Sequence, residues 1–157
     1  MKDKITLDRI NLLHPKLRAE ALEMYDEICE ALKGRAICRF SYTLRTFAEQ
    51  DVLYKKVPKV TNAKGGMSFH NYGLAIDIVL IIGGVAASWD IKTDFDGDGK
   101  SDWMEVVAIF KSFGWEWGGD WKFYDAPHFQ KTFGKSIREL LALHQAGKVD
   151  EHGFVKF

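Results

Sequence analysis

With 157 residues, 46% hydrophobic and 28% charged, the chain has a globular composition and the length of one domain with a full core. Lysine plus arginine and aspartate plus glutamate each number 22, and no basic run occurs, so the electrostatic footprint of a nucleic-acid or anionic-membrane binder is missing. A chain of this size buries roughly two-thirds of its unfolded surface, so a metal here would serve function rather than folding.

The N-terminal MKDKITLDRI is charged and lacks the apolar stretch of a signal peptide, which leads us to expect cytoplasmic synthesis. Residues 15–33 read as an amphipathic helix: Pro15 suits its first turn, Leu17, Ala21, Met24, Ile28 and Leu32 recur at helical spacing, and Gly34 is placed for a left-handed cap. Ala36 to Tyr42 alternates as a strand, with Ala36, Cys38, Phe40 and Tyr42 on the better buried face. Cys29 and Cys38, the only cysteines, read as buried thiols rather than a disulfide. Thr46 and Glu49 form a capping box for a helix to Val57, ended by Pro58. A polar loop over 59–67 precedes an apolar run, 68–82, expected as a central strand. Its apolar portion carries Asp77 and is too short for a bilayer span, which needs about 20 residues, so no membrane partner is expected. Trp103 to Phe113 reads as a helix closed by Gly114, PHFQ at 127–130 as a strand, and Ser136 with Glu139 as the cap of a last helix to Ala146. Helices and strands mix without strict alternation, which favours an α+β fold, a small antiparallel sheet flanked by helices.

The most informative stretch is Ser68-Phe-His70-Asn-Tyr-Gly73-Leu-Ala-Ile-Asp77, paired with Asp125-Ala-Pro-His128. His70, Asp77 and His128 make a three-ligand zinc set that leaves one tetrahedral position for water, as in catalytic sites. Zinc lowers the pKa of bound water toward about 7 and polarises a carbonyl. Asp125, three residues before His128, is the candidate carboxylate to carry the proton to the leaving nitrogen. A lone histidine is usually a hydrogen-bonded structural residue, but an aspartate within GLAIDIVL is costly to desolvate unless it meets a cation or several donors. His14, His144 and His152 read as surface residues. Asp120 is a candidate to orient one of the histidine ligands. Most of Trp115, Trp117, Trp121, Phe123 and Tyr124 are expected in the core beneath the metal, and Gly118 and Gly119 where a backbone is unusual or closely approached.

SFHNYGLAID resembles the Ser-x-His-x-x-Gly-x-Ala-x-Asp signature, and GGDWKFYDAPHFQ the second signature, of the zinc D-alanyl-D-alanine peptidase family, in particular its phage endolysin branch of L-alanyl-D-glutamate peptidases. The resemblance spans roughly residues 45–130. It implies an α+β zinc peptidase of the hedgehog/D-Ala-D-Ala-peptidase type that cuts an amide in peptidoglycan stem peptides, with His70, Asp77 and His128 as zinc ligands and Asp125 as catalytic carboxylate. It also places Arg45 as the cation that holds the substrate and stabilises the oxyanion, a role suited to a planar cationic donor. Gln50 and Ser68 become substrate hydrogen-bonders by the same resemblance.

Asp94, Asp96, Asp98, Gly99, Lys100, Asp102 and Glu105 fill the twelve-residue EF-hand calcium pattern, Lys100 through its carbonyl. No helix is evident before the loop, which reads as a single insertion at 94–105. Calcium would order the start of the following helix and steady the active site outside the low-calcium cytoplasm. The expected function is a calcium-modulated, monomeric zinc endolysin acting on bacterial peptidoglycan after release to the wall by other factors. The alternatives are a D-alanyl-D-alanine carboxypeptidase or dipeptidase, and a non-catalytic wall-binding module.

Overall fold

The computed structural model describes residues 2–157. Among these, five α-helices accompany one five-stranded antiparallel sheet, an α+β architecture. The helices are α1 (Lys4–Ile10), α2 (Pro15–Ala31), α3 (Phe47–Tyr54), α4 (Asp102–Ser112) and α5 (Ile137–Gln145); the strands are β1 (Ala36–Tyr42), β2 (Ala75–Ile82), β3 (Ala86–Ser88), β4 (Glu116–Trp117) and β5 (His128–Gln130). No described helix is long and apolar enough to cross a membrane.

Strand β2 organises the sheet. One edge pairs with β1, and the other pairs first with β5 through Ala75–Asp77 and then with β3 through Leu80–Ile82. Seven of its eight residues are buried, as its apolar sequence requires, and Asp77 is the exception. Helices α2 and α4 supply Leu17, Met24, Ile28, Trp103, Val106 and Phe110 to the same core, where the Phe110 ring stacks on Phe129 of β5 at 3.9 Å. The capping boxes at Thr46/Glu49 and Ser136/Glu139 are both formed in full.

Several local expectations are corrected. Helix α2 ends at Ala31 with Leu32 as its extended cap, and Gly34 lies beyond at φ +140°, where the turn is held by Lys33 N donating to Asp96 at 3.2 Å. Helix α3 stops at Tyr54, because Pro58 disfavours helix in the residue before it and the preceding turn unwinds. The expected strand over 68–82 begins only at Ala75: Ser68 caps a 3-10 turn, Phe69–Tyr72, which Gly73 closes at φ +69°. A Cβ on Gly73 would lie 2.5 Å from His14 N, so the close approach of α2's N-terminus demands glycine. His14 is 4% exposed rather than on the surface; it caps α2 by accepting from Lys16 N and bonds Val155 O at 2.8 Å. His144 is half-buried against Phe47, and His152 is exposed. A bulge after Phe40 breaks the period of β1 and turns Tyr42 out to 55% exposure. Cys38 is buried and Cys29 only half-buried, both as free thiols.

Candidate metal and catalytic site

The three ligand candidates converge because the 3-10 turn and two neighbouring strands meet at one end of the sheet. Asp77 pairs directly with His128 across β2 and β5, and with Tyr42 across β2 and β1. His70 reaches the same point from the 3-10 turn, whose chain is tied back by Arg45 N donating to His70 O at 3.0 Å. One ligand atom from each of His70, Asp77 and His128 falls within 4.8 Å of the others. Asp77 Oδ1 lies 3.2 Å from both His70 Nε2 and His128 Nδ1, and the two imidazoles meet edge to face at 5.2 Å.

Hydrogen bonds on the far side of each ring select the inward nitrogen. His70 Nδ1–H donates to Thr43 O at 2.8 Å, which leaves Nε2 with its lone pair inward, buried and without a hydrogen-bond partner among the described residues. His128 Nε2 faces Gln130 Oε1 at 2.8 Å, which leaves Nδ1 toward Asp77. Burial would raise the Asp77 carboxyl, but His128 and His70 beside it outweigh burial and hold it well below the usual carboxylate range. His128, which burial alone would lower, is raised by that same carboxylate. An orphaned inward nitrogen, an ionised carboxylate and a second oriented imidazole fit a tetrahedral zinc ion with one open position.

A cleft of about 340 Å³ opens on this cluster, and Arg45, Gln50, Ser68 and Asp125 line it with the ligands. Asp125 is outside the cluster. Burial raises its carboxyl above the ordinary value, with the Asp77 charge adding and the two histidines opposing, and a raised carboxyl near a metal is suited to exchanging a proton. Its backbone is clamped: Asp125 N donates to Gly118 O at 2.9 Å, and the Trp117 indole donates to Ala126 O at 2.7 Å. Arg45 Nη1 donates to Gln50 Oε1 at 3.0 Å, with the guanidinium 5.0 Å over the Tyr42 ring.

Four expectations change here. Gln50 is 1% exposed and its amide is already used at both ends, by Arg45 and by Ala63 O at 2.8 Å, so it positions Arg45 rather than offering free groups to a ligand. Ser68 Oγ accepts from His70 N at 3.3 Å as the cap of the 3-10 turn. Asp120 pairs with Lys111 at 2.7 Å, and the outer nitrogens of both histidines are taken by Thr43 O and Gln130 instead. Of the five aromatics only Trp115 and Trp117 are buried; Trp121 lies 5.3 Å from the His128 ring, and Phe123 and Tyr124 are exposed.

The acidic loop forms two overlapping carboxylate groups, Asp94 with Asp96 and Asp102, and Asp96 with Asp98 and Glu105, each with oxygens within 4.8 Å. Asp94 accepts from Gly97 N and Gly99 N, and Asp98 from Lys100 N, so the turn is wound inward by its own backbone. Glu105, in the first turn of α4, is pushed up to about 8 by burial and then by Asp98. Its Oε2 is buried without a hydrogen-bond partner among the described residues.

Residues not singled out from sequence also build the site: Thr43 and Gln130 behind the histidines, and Asn71. Asn71 accepts from Gly66 N and Ser68 N and donates to Arg45 O at 3.0 Å, joining the Arg45 backbone to the segment that carries His70. A signal existed for Asn71 and Gln130, since each is a polar residue inside a motif, but for Thr43 only a carbonyl matters and any residue supplies one.

Two histidines and an aspartate at a sheet end, with a separate carboxylate and an arginine in the same cleft, make a candidate site for a metal-dependent hydrolase. A family model described as D-alanyl-D-alanine carboxypeptidase matches residues 61–131, a span that holds all three ligand candidates and Asp125. The peptidoglycan L-alanyl-D-glutamate endopeptidase CwlK of Bacillus subtilis (strain 168) is 47% identical over 126 residues, 75% of this chain and 72% of that protein. The L-alanyl-D-glutamate peptidase of Listeria phage A118 is 41% identical over 78 residues, 43% of this chain and 25% of that one. The chain belongs to the D-alanyl-D-alanine carboxypeptidase family of peptidases, and its curated relatives include L-alanyl-D-glutamate peptidases.

Proposed function

We propose that the chain is a zinc endopeptidase that hydrolyses the L-alanyl-D-glutamate amide of peptidoglycan stem peptides. The observation that carries this reading is the orphaned, buried His70 Nε2 facing Asp77 and His128 beside the unligated Asp125; the likeness to the Bacillus endopeptidase over most of both chains directs it to this bond. Zinc held by His70 Nε2, Asp77 and His128 Nδ1 would supply Lewis acidity toward the amide carbonyl and a water acidified toward a pKa of about 7. Asp125 takes the proton from the attacking water and returns it to the leaving nitrogen, a cycle its raised carboxyl suits. Arg45, held by Gln50, faces the charge that develops on the carbonyl oxygen.

The test is digestion of purified peptidoglycan with identification of the new termini by mass spectrometry, using Asp125→Ala as control. New L-alanine carboxyl and D-glutamate amino termini from the native chain alone support the reading. The description of the matching family model favours a second reading, a D-alanyl-D-alanine carboxypeptidase. Release of free D-alanine would establish that activity instead, and a chain that only binds the wall would release nothing in either form.

The finer part of the proposal is that calcium occupies the acidic loop, with Asp94, Asp96, Asp98, Asp102 and Glu105 supplying carboxylates and Lys100 its carbonyl. The support is the grouping of these oxygens and the partnerless Glu105 Oε2. From Glu105, α4 leads through Phe110 to its stack on Phe129, the neighbour of His128. Ordering the first turn of α4 would thereby steady the sheet end that carries the metal ligands.

A further inference from the structure

Behind His128 a short polar chain runs outward between two strands. Gln130 and Glu116 are register partners across β5 and β4. Glu116 Oε2 lies 3.2 Å from Gln130 Nε2, and Gln130 Oε1 lies 2.8 Å from His128 Nε2. The order of these contacts fixes which end of Gln130 faces inward. A carboxylate only accepts hydrogen bonds, so the atom of Gln130 that faces Glu116 must be its NH2 group. The Gln130 carbonyl then points at His128, and an imidazole nitrogen facing a carbonyl must carry hydrogen. With Nε2 engaged by Gln130, the other nitrogen, Nδ1, is the one that faces Asp77, at 3.2 Å, and the cleft.

Gln130 is 8% exposed, so the amide lacks the water that would let it turn freely, whereas the Glu116 carboxylate is exposed. A glutamine amide by itself presents either end equally well. The exposed carboxylate breaks that symmetry.

We propose that Gln130 and Glu116 are positioning residues for zinc: Glu116 fixes the Gln130 amide, and Gln130, by engaging Nε2, fixes the ring plane of His128 so that Nδ1 is the nitrogen presented to the metal. His70 gets the same service from the Thr43 carbonyl, which has no alternative end and needs no third residue. The two histidines thus bind through different nitrogens, His70 through Nε2 and His128 through Nδ1, and each is set by the group behind it. This inference rests on the zinc reading above, and partners of this kind commonly change metal affinity by about 10–100-fold.

The test is zinc affinity of the purified chain by competition with a chromogenic chelator, with melting of the zinc-free form measured alongside. Gln130→Leu is expected to weaken zinc binding about 10–100-fold. Glu116→Gln, an exposed change that leaves the zinc-free melting point in place, weakens it severalfold, because a neutral amide at 116 no longer dictates which end of Gln130 faces inward. The exchange Glu116→Gln with Gln130→Glu puts an acceptor directly behind His128 and a donor behind that, and is expected to restore tight binding, which a purely structural role for Gln130 would not predict. Zinc held by Gln130→Leu within twofold of the native chain, or an exchange variant no tighter than Gln130→Leu, overturns the proposal. If Gln130→Leu does not fold, an unchanged affinity in Glu116→Gln overturns it alone. A native chain that binds no zinc overturns the zinc reading itself, a result distinct from native binding that these variants leave unchanged.

Discussion

Asp125 N donates to Gly118 O at 2.9 Å, and a Cβ built on Gly118 would lie 2.3 Å from Asp125 O. The residue seven positions upstream therefore holds the main chain of the proposed catalytic carboxylate at a distance that no side chain tolerates. Gly118→Ala is expected to push the 125–127 segment outward and lower kcat on the order of 10²-fold, the cost of misplacing a reacting group by about 1 Å. Of the proposed zinc ligands His70 and Asp77 keep their own supports, whereas His128 N donates to the same Asp125 O at 3.1 Å, so zinc content reports whether the displacement reaches His128. Steady-state rates on a soluble stem peptide with metal analysis of the same sample decide it, and an unchanged kcat would show that the clamp does not position Asp125.

Asp3 ties the N-terminus to the sheet. Its carboxylate caps α1 by accepting from Thr6 N and Thr6 Oγ1, and pairs with both Arg39 Nε and Nη2 at 3.0 Å. Burial alone would raise this carboxyl, but Arg39 and Thr6 outweigh burial and hold it below its ordinary value. A folded pKa below the unfolded one contributes stability above the unfolded value, near 3.9, and that stability is lost as pH falls through the folded value. Asp3→Ala should cost about 1–2 kcal/mol at neutral pH, with the gap to the native chain closing below about pH 4. Urea unfolding at pH 7 and at steps down to pH 2 follows the loss, and a gap that does not narrow as the pH falls would assign it to packing instead.

Much of this architecture was legible in the sequence because the signals were local. The capping boxes at Thr46 and Ser136 and the helical spacing of α2 and α4 each depend on residues within a few positions of one another. The convergence of His70, Asp77 and His128 was legible for a related reason: they lie in compact motifs whose residue types have few other uses together. What escaped reading depends on register. Tyr42 left the buried face through a bulge, which alternation cannot announce. Strands β3 and β4, of three and two residues, carry too little pattern to be seen. Gln50 and Asp120 were misplaced because a polar residue shows its chemistry in sequence but not its partner; Arg45 and Ala63 claimed one, and Lys111 the other.

The acidic loop makes a prediction about heat as well as rate. A cation that binds only the folded chain stabilises it in proportion to the logarithm of its concentration, about 2.7 kcal/mol at one hundred times the Kd. Millimolar calcium should raise the melting temperature of the zinc-loaded chain and increase its rate of wall hydrolysis. Asp96→Ala with Asp98→Ala should abolish both responses. Magnesium, which demands a tighter octahedral shell, should do little. Scanning calorimetry with and without calcium separates the outcomes: a melting point indifferent to calcium rules out the site, and a calcium-raised melting point with unchanged hydrolysis rules out its coupling to the active site.

Gln50 and Arg45 offer a test of how the cleft divides its labour. Gln50 is fully enclosed, with Oε1 on the guanidinium and Nε2 on Ala63 O, so its influence on the reaction must pass through Arg45. Arg45→Ala is expected to lower kcat/KM about 10²–10³-fold, the usual cost of removing a donor from a developing oxyanion. Gln50→Ala lets the guanidinium swing toward Tyr42 and should cost about tenfold, a smaller loss because the charge remains in the cleft. Residues that act through one another are not additive. The double variant should therefore be no slower than Arg45→Ala alone. Rates of the four proteins on one stem peptide complete the cycle, and a double variant slower by the product of the two single losses would mean that Gln50 meets the substrate by itself.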